Sequence, residues 1–155
     1  MMRHTAHEIG ATLTHRLAID ELNAWVASCL DLQSYTEMAD AFTADAQYVS
    51  GPRVLNGPQD IVDFFVHRKK QGGPRSTRHM GSGLRLKFDA SGRLAQGSSV
   101  WISYASNTEV PVDTLAAFMV ADFDDTYVLE DDGYWRICKR VITPVFKNVE
   151  AAPRS

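Results

Sequence analysis

The chain has 155 residues, 45% hydrophobic and 23% charged, the size and balance of one globular domain and far from the composition of disordered chains. Sixteen Lys and Arg against nineteen Asp and Glu leave a net charge of −3, so the basic footprint of a nucleic-acid binder is missing. No segment approaches the ~20 apolar residues of a membrane span. Cys29 and Cys138 lie far apart behind an N-terminus without an apolar signal stretch, which points to the cytoplasm.

Residues 1–11 and 148–155 lack periodicity and read as tails, leaving 12–147 as a single domain with no internal repeat. His4, His7 and His15 have no Cys or carboxylate at ligand spacing, and no metal is expected there. From Thr12, the residues Leu13, Leu17, Leu22, Trp25, Val26, Cys29 and Leu30 recur at threes and fours, an amphipathic helix ending near Asp31. Ser34 with Glu37 has the form of a capping box, and Tyr35, Met38, Ala41 and Phe42 supply the stripe of a second helix running to Asp45. Ala46–Ser50 and Arg53–Leu55 flank Gly51-Pro52 as two short strands, and Asn56-Gly57-Pro58 opens a third helix through Ile61, Phe64 and Phe65 that Gln71-Gly-Gly-Pro stops. The basic run Arg68-Lys69-Lys70, with Arg75 and Arg78, falls at that helix end, where cations suit the dipole.

Beyond it the pattern alternates with period two over Thr77–Asp89, Leu94–Ser106, Thr114–Glu130 and Tyr134–Phe146. Asp89-Ala-Ser-Gly92 and Glu130-Asp-Asp-Gly133 are short hairpin turns with glycine where a positive φ is wanted. The order αα-ββ-α-ββββ predicts an α+β cone, three helices on a strongly curved, mostly antiparallel mixed sheet that encloses a pocket. Trp101, Phe118, Met119, Phe123 and Trp135 have the bulk either to line that pocket or to serve as ordinary core.

Several residues bear on chemistry. An aspartate at a helix C-terminus faces the negative end of the dipole, so Asp31 is either a solvated loop residue or held there by a partner. His79 is either a structural strand residue or a base whose ring a carboxylate would orient. It has parity opposite to Leu84, Leu86 and Phe88. A one-residue bulge at Gly81–Gly83 would turn both sets inward, the alternative being an ordinary bend. Tyr48 and Ser99 could polarise a substrate oxygen or simply satisfy their own strands. Arg140 could clamp a carboxylate or enolate, or pair with Asp122, Asp124 or Asp125 across the sheet. No nucleotide-binding loop, Ser-His-Asp signature or cysteine site is present, and no cofactor is expected.

Three segments carry a resemblance. Phe42-Thr-Ala-Asp-Ala46, Gly57-Pro-Gln-Asp-Ile61 and Asp132-Gly-Tyr-Trp-Arg-Ile137 resemble fold marks of the nuclear-transport-factor-2-like superfamily, which includes SnoaL-like proteins, and with the order of elements the resemblance covers nearly the whole chain. Leu30-Asp31 and Thr77-Arg-His79-Met-Gly-Ser-Gly-Leu-Arg-Leu86 resemble the active-site segments of its scytalone dehydratase and hexachlorocyclohexane dehydrochlorinase families, the second segment more closely those of the latter. The resemblance implies a catalytic Asp31–His79 dyad and a cofactor-independent lyase or isomerase acting on a small, largely apolar, aromatic or polycyclic molecule. Tyr48, Ser99, Trp101, Phe118, Met119 and Arg140 are the expected substrate contacts. The dehydratase's second histidine has no counterpart, Gly97-Ser98-Ser99-Val100 offering only hydroxyls, and the dehydrochlorinase's basic partner on the first helix falls near Val26. The resemblance also implies a homodimer or homotrimer built through the sheet. The alternative within the same superfamily is a non-catalytic ligand- or partner-binding module, such as the small subunit of a ring-hydroxylating oxygenase.

Overall fold

In the computed structural model, residues 3–113 and 116–152 are described. A short helix α1 (Ala6–Ala11) leads into the long helix α2 (Leu13–Leu32), a 3-10 turn at Glu37–Ala41, strands β1 (Phe42–Ser50) and β2 (Arg53–Asn56), and helix α3 (Gly57–Gly72). Four long strands follow, β3 (Ser76–Phe88), β4 (Leu94–Ser106), β5 (Met119–Leu129) and β6 (Trp135–Lys147), and a last 3-10 turn at Val149–Ala151. All six strands form one sheet in the order β2-β1-β6-β5-β4-β3. Among the described residues β1 and β6 run parallel and every other pair is antiparallel. Helix α2 packs on β3 and α3 on β1, so the sheet curls around the helices as the α+β cone that the element order predicts.

The two hairpin turns form as expected. Gly92 and Gly133 have φ of 70° and 86°, and their N–H groups donate to Asp89 O and Glu130 O. The core gathers Ile19, Val26, Met38, Ile61, Tyr127 and Ile137, all fully buried.

Four expectations need correction. Residues 6–11 are helical rather than a tail, because Thr5 and Glu8 form a reciprocal capping box that closes the first turn. The C-terminal segment is anchored too: Arg75 and Asn107 donate to the carbonyls of Ala151 and Ala152. Met1, Met2 and residues 153–155 of the expected tails lie outside the described residues. The second helix is one short 3-10 turn, and the Ser34–Glu37 capping box is not made; Ser34 N–H instead closes α2 onto Cys29 O. Phe42 pairs with Ile137 of β6, so the sheet claims residues that the periodicity assigned to a helix. In α2 the stripe holds from Leu22 to Leu30, but Leu13 and Leu17 are exposed while Ile19 and Asn23 are buried.

Two bulges set which residues look inward. Between Ser82 and Arg85, β3 has one residue more than β4, with Gly83 at φ 68°, so Thr77, His79 and Gly81 share the inner face with Leu84 and Leu86. On β6 the register skips at Cys138, which turns both Ile137 and Arg140 inward. The expected strand from Thr114 begins at Met119; Thr114 and Leu115 lie outside the described residues, and Phe118 joins the ladder through its N–H to Ser103 O at 2.7 Å.

Gly81 gives the Trp101 ring its place, since a Cβ there would stand 2.6 Å from the indole. Gly81→Ala is therefore expected to destabilise the fold by about 1–3 kcal/mol, read as a lower midpoint in urea unfolding followed by tryptophan fluorescence.

Candidate active site

Asp31 occupies the last turn of α2, which ends on Gln33 in the left-handed conformation at φ 59°. The turn is fastened from outside, because the Gln33 side-chain amide donates to Arg75 O at 2.7 Å. The Asp31 carboxylate thereby meets the free edge of β3, the last strand of the sheet. Oδ1 accepts from the Thr77 hydroxyl at 2.9 Å and lies 2.6 Å from His79 Nδ1; Oδ2 accepts from the His79 backbone N–H at 2.9 Å. Burial raises the Asp31 carboxyl, but the hydrogen bonds and charge of His79 and the Thr77 hydroxyl outweigh it and hold it below the ordinary carboxylate value. An ionised carboxylate can only accept, so Nδ1 carries the ring hydrogen and Nε2 is the nitrogen with a free lone pair.

His79 lines a cavity of about 520 Å³ between the helices and the inner face of the sheet, within the range of small-molecule sites. Trp101, Phe118, Met119 and Phe123 line it as well, Trp101 and Phe123 with ring centroids 5.5 Å apart. Trp135 does not. It lies with His15 and Phe88 at the other end of the cone and donates from Nε1 to His15 Nδ1.

The hydroxyl candidates separate. Tyr48 lines the cavity, and burial raises its phenol above the ordinary value. Ser99 Oγ accepts from Trp101 Nε1 at 2.9 Å and lines a smaller hollow beside Gly81 and Leu84, so its work is to hold the indole rather than to meet a ligand in the main cavity. Ser103, directly opposite His79 on β4, lines the main cavity instead, with an Oγ that has no hydrogen-bond partner. Its parity on β4, two residues beyond Trp101, was the available signal.

Arg140 pairs across the strands with Asp125, as one of the two sequence readings had it; Asp122 and Asp124 point to the outer face. Its Nε and Nη2 bind the two Asp125 oxygens at 2.8 Å each, and Nη2 also reaches Asn23 Oδ1 at 2.6 Å. Asn23 and Asp125 both meet the Tyr127 hydroxyl at 2.8 Å. Asn23 and Arg140 present this polar quartet at the cavity floor, and the guanidinium is neutralised by protein rather than left to clamp a ligand. Periodicity does not single out Asn23, a polar residue on the buried face of α2, or Tyr127, an aromatic residue at an ordinary inward position of β5.

Among the described residues no three His, Cys, Asp or Glu side chains gather as a metal site requires, and no helix is long and apolar enough to cross a membrane.

A family model described as the SnoaL-like domain matches residues 11–141. Among solved structures, a protein from Novosphingobium aromaticivorans provisionally named a scytalone dehydratase is similar at 20% identity and TM-score 0.75, over 93% of this chain and 97% of that one. LinA is similar at 21% identity and TM-score 0.74, over 92% and 95% of the two chains. A structure from Catenulispora acidiphila in complex with S-DNPA is similar at 21% identity and TM-score 0.73, over 85% and 94%. At these identities the likeness is one of fold. Among curated proteins, none matches the sequence.

The depressed Asp31 carboxyl has a consequence for stability. A group whose folded pKa lies below its unfolded one stabilises fully above the unfolded value, ~3.9 for aspartate, and loses that contribution as pH falls through the folded value. The unfolding free energy of the wild type minus that of Asp31→Asn is expected to shrink as pH is lowered from ~4 downward. Urea unfolding of both proteins across that range checks it.

Proposed function

The chain belongs to the SnoaL-like domain family, and on that premise we propose that it is a cofactor-independent lyase or isomerase acting on a small ring-containing molecule. The observation that carries this reading is the His79 ring, held by Asp31 at 2.6 Å on one nitrogen while lining an aromatic-walled cavity. Nε2 takes a proton from an activated carbon of the substrate, and the Asp31 carboxylate stabilises the imidazolium that forms. If a leaving group departs from the neighbouring carbon, the result is elimination or dehydration. If the proton returns to a different carbon, it is double-bond migration. The apolar walls exclude water and hold the ring plane still, which adds positioning to general-base catalysis. Tyr48, at the wall, is suited to donate to the substrate oxygen on which charge develops. The S-DNPA complex of the Catenulispora acidiphila protein supports small-molecule binding in a cone of this kind.

Two further readings go with this one. Exposed Met80, Val100, Ile102, Tyr104 and Phe146 on the sheet favour a homodimer or homotrimer built through its outer face; sedimentation should show Ile102→Asp shifting the protein toward monomer, and an unchanged mass would refute that. Cys29 and Cys138 are free, which suits a reducing compartment such as the cytoplasm, and a reporter fusion exported from the cell would contradict it.

Screening ring compounds with an acidic C–H by NMR in deuterated water tests the chemistry directly. The wild type is expected to exchange or eliminate that hydrogen, with His79→Ala about 10²–10⁴-fold slower and still folded. Asp31→Asn should lower turnover similarly. A folded His79→Ala protein with wild-type rates would sink the reading.

A further inference from the structure

The cavity is charged in a way that proton abstraction at His79 does not use. Arg53 of β2, Arg68 of α3, Arg75 ahead of β3 and Lys147 at the end of β6 all line it, in a chain whose net charge is −3. Among the described residues, the ion pairs join His79 to Asp31, Arg93 to Asp131, Arg136 to Glu130 and Asp132, and Arg140 to Asp125. The four cations of the cavity wall enter none of them.

Arg68 and Arg75 are the more telling pair, because both are half-buried. The Arg75 guanidinium donates from Nη1 to two neutral acceptors, Asn107 Oδ1 and Ala151 O, each at 2.9 Å, and its buried Nε has no partner. Its Cζ lies 5.4 Å from the Phe118 ring, and that of Arg68 lies 4.8 Å from Phe65. Burial and the charge of Arg68 pull Arg75 down to about 10. Two guanidiniums held against aromatic walls, acting on each other and paired with no carboxylate among the described residues, are costly unless something else supplies the negative charge. The floor shows the contrast: there Arg140 is neutralised by Asp125 through both oxygens.

We propose that the substrate is an aromatic or polycyclic carboxylate, whose carboxylate group Arg68 and Arg75 bind while its ring system lies against Trp101, Phe118 and Phe123 and presents a carbon to His79. Arg75 is four residues ahead of His79 with the same parity, about 13 Å along an extended chain. Guanidiniums suit this role because their planar fork matches a carboxylate. The inference deepens the lyase or isomerase reading and rests on it for the chemistry at His79, but its own test is binding alone.

Calorimetric titration of the full chain compares 2-naphthoate and anthraquinone-2-carboxylate with their primary amides. The carboxylates are expected to bind about ten-fold or more tightly than the amides, as charge-assisted hydrogen bonds would give. That preference should collapse in Arg75→Gln and in Arg68→Gln, survive in Lys69→Gln, an exposed cation of the same helix, and survive in His79→Ala. Amides that bind as well as carboxylates, a preference kept in both arginine variants, or no binding of either class would overturn the proposal. Should the arginine variants fail to fold, salt decides: wild-type affinity for the carboxylates must fall with ionic strength while that for the amides holds, and equal salt response overturns it. Loss of turnover in His79→Ala without loss of carboxylate binding keeps the two readings separate.

Discussion

A buried carboxylate has to have its oxygens occupied, and the way Asp31 meets that requirement organises this molecule. It sits at the negative end of α2, the wrong end for an anion, and is compensated there by the Thr77 hydroxyl, the His79 N–H and the His79 ring. Those groups belong to the edge strand of the sheet. The same contacts therefore tie the long helix to the rim of the cone, pair a backbone N–H that the edge would leave open, and fix the tautomer of the histidine. Gln33 secures the arrangement by turning the chain left-handed and reaching Arg75 O. Fold and site share one set of hydrogen bonds.

The second constraint is parity. A strand alternates its faces strictly, so a residue can be brought to the inner face out of phase only by an extra residue. The cone uses this at Gly83 on β3 and at Cys138 on β6. The first bulge allows His79 and the core leucines to share a face, and the second allows Arg140 to sit above Ile137. Without the first, His79 or Leu86 would face solvent.

How much of this was legible follows from the same physics. The β3 bulge was readable because two glycines coincided with a phase change in the apolar pattern. The β6 bulge was not, since Cys138 carries no turn signal and its cause is the pairing with β5. The hairpins, the third helix and the long strands are local patterns and form where the sequence places them, except that β5 starts at Met119 rather than Thr114. The supposed second helix was lost because Phe42 has a partner in β6, almost a hundred residues away. Helix α2 forms where its periodicity places it and buries Leu22, Val26 and Cys29 as expected; the exceptions are Asn23, polar yet buried, and Leu13 and Leu17, apolar yet exposed. The basic run at the end of α3 illustrates the remaining gap. Helix-dipole reasoning accounts for exposed Lys69 and Lys70 but not for Arg68, which lies over Phe65 one turn earlier in α3 and reaches the cavity wall only because α3 docks on β1.

The polar quartet at the cavity floor also bears on how such a site can change over generations. Removing one member of a buried, doubly bonded ion pair leaves the other uncompensated, at a cost of about 3–5 kcal/mol, a large share of the stability of a domain this size. Arg140, Asp125, Asn23 and Tyr127 are thus bound to vary together or not at all. Trp101, Phe118 and Met119 carry no such mutual obligation and can be exchanged one at a time. Drift in ligand preference has an open route through the walls and a closed one through the floor.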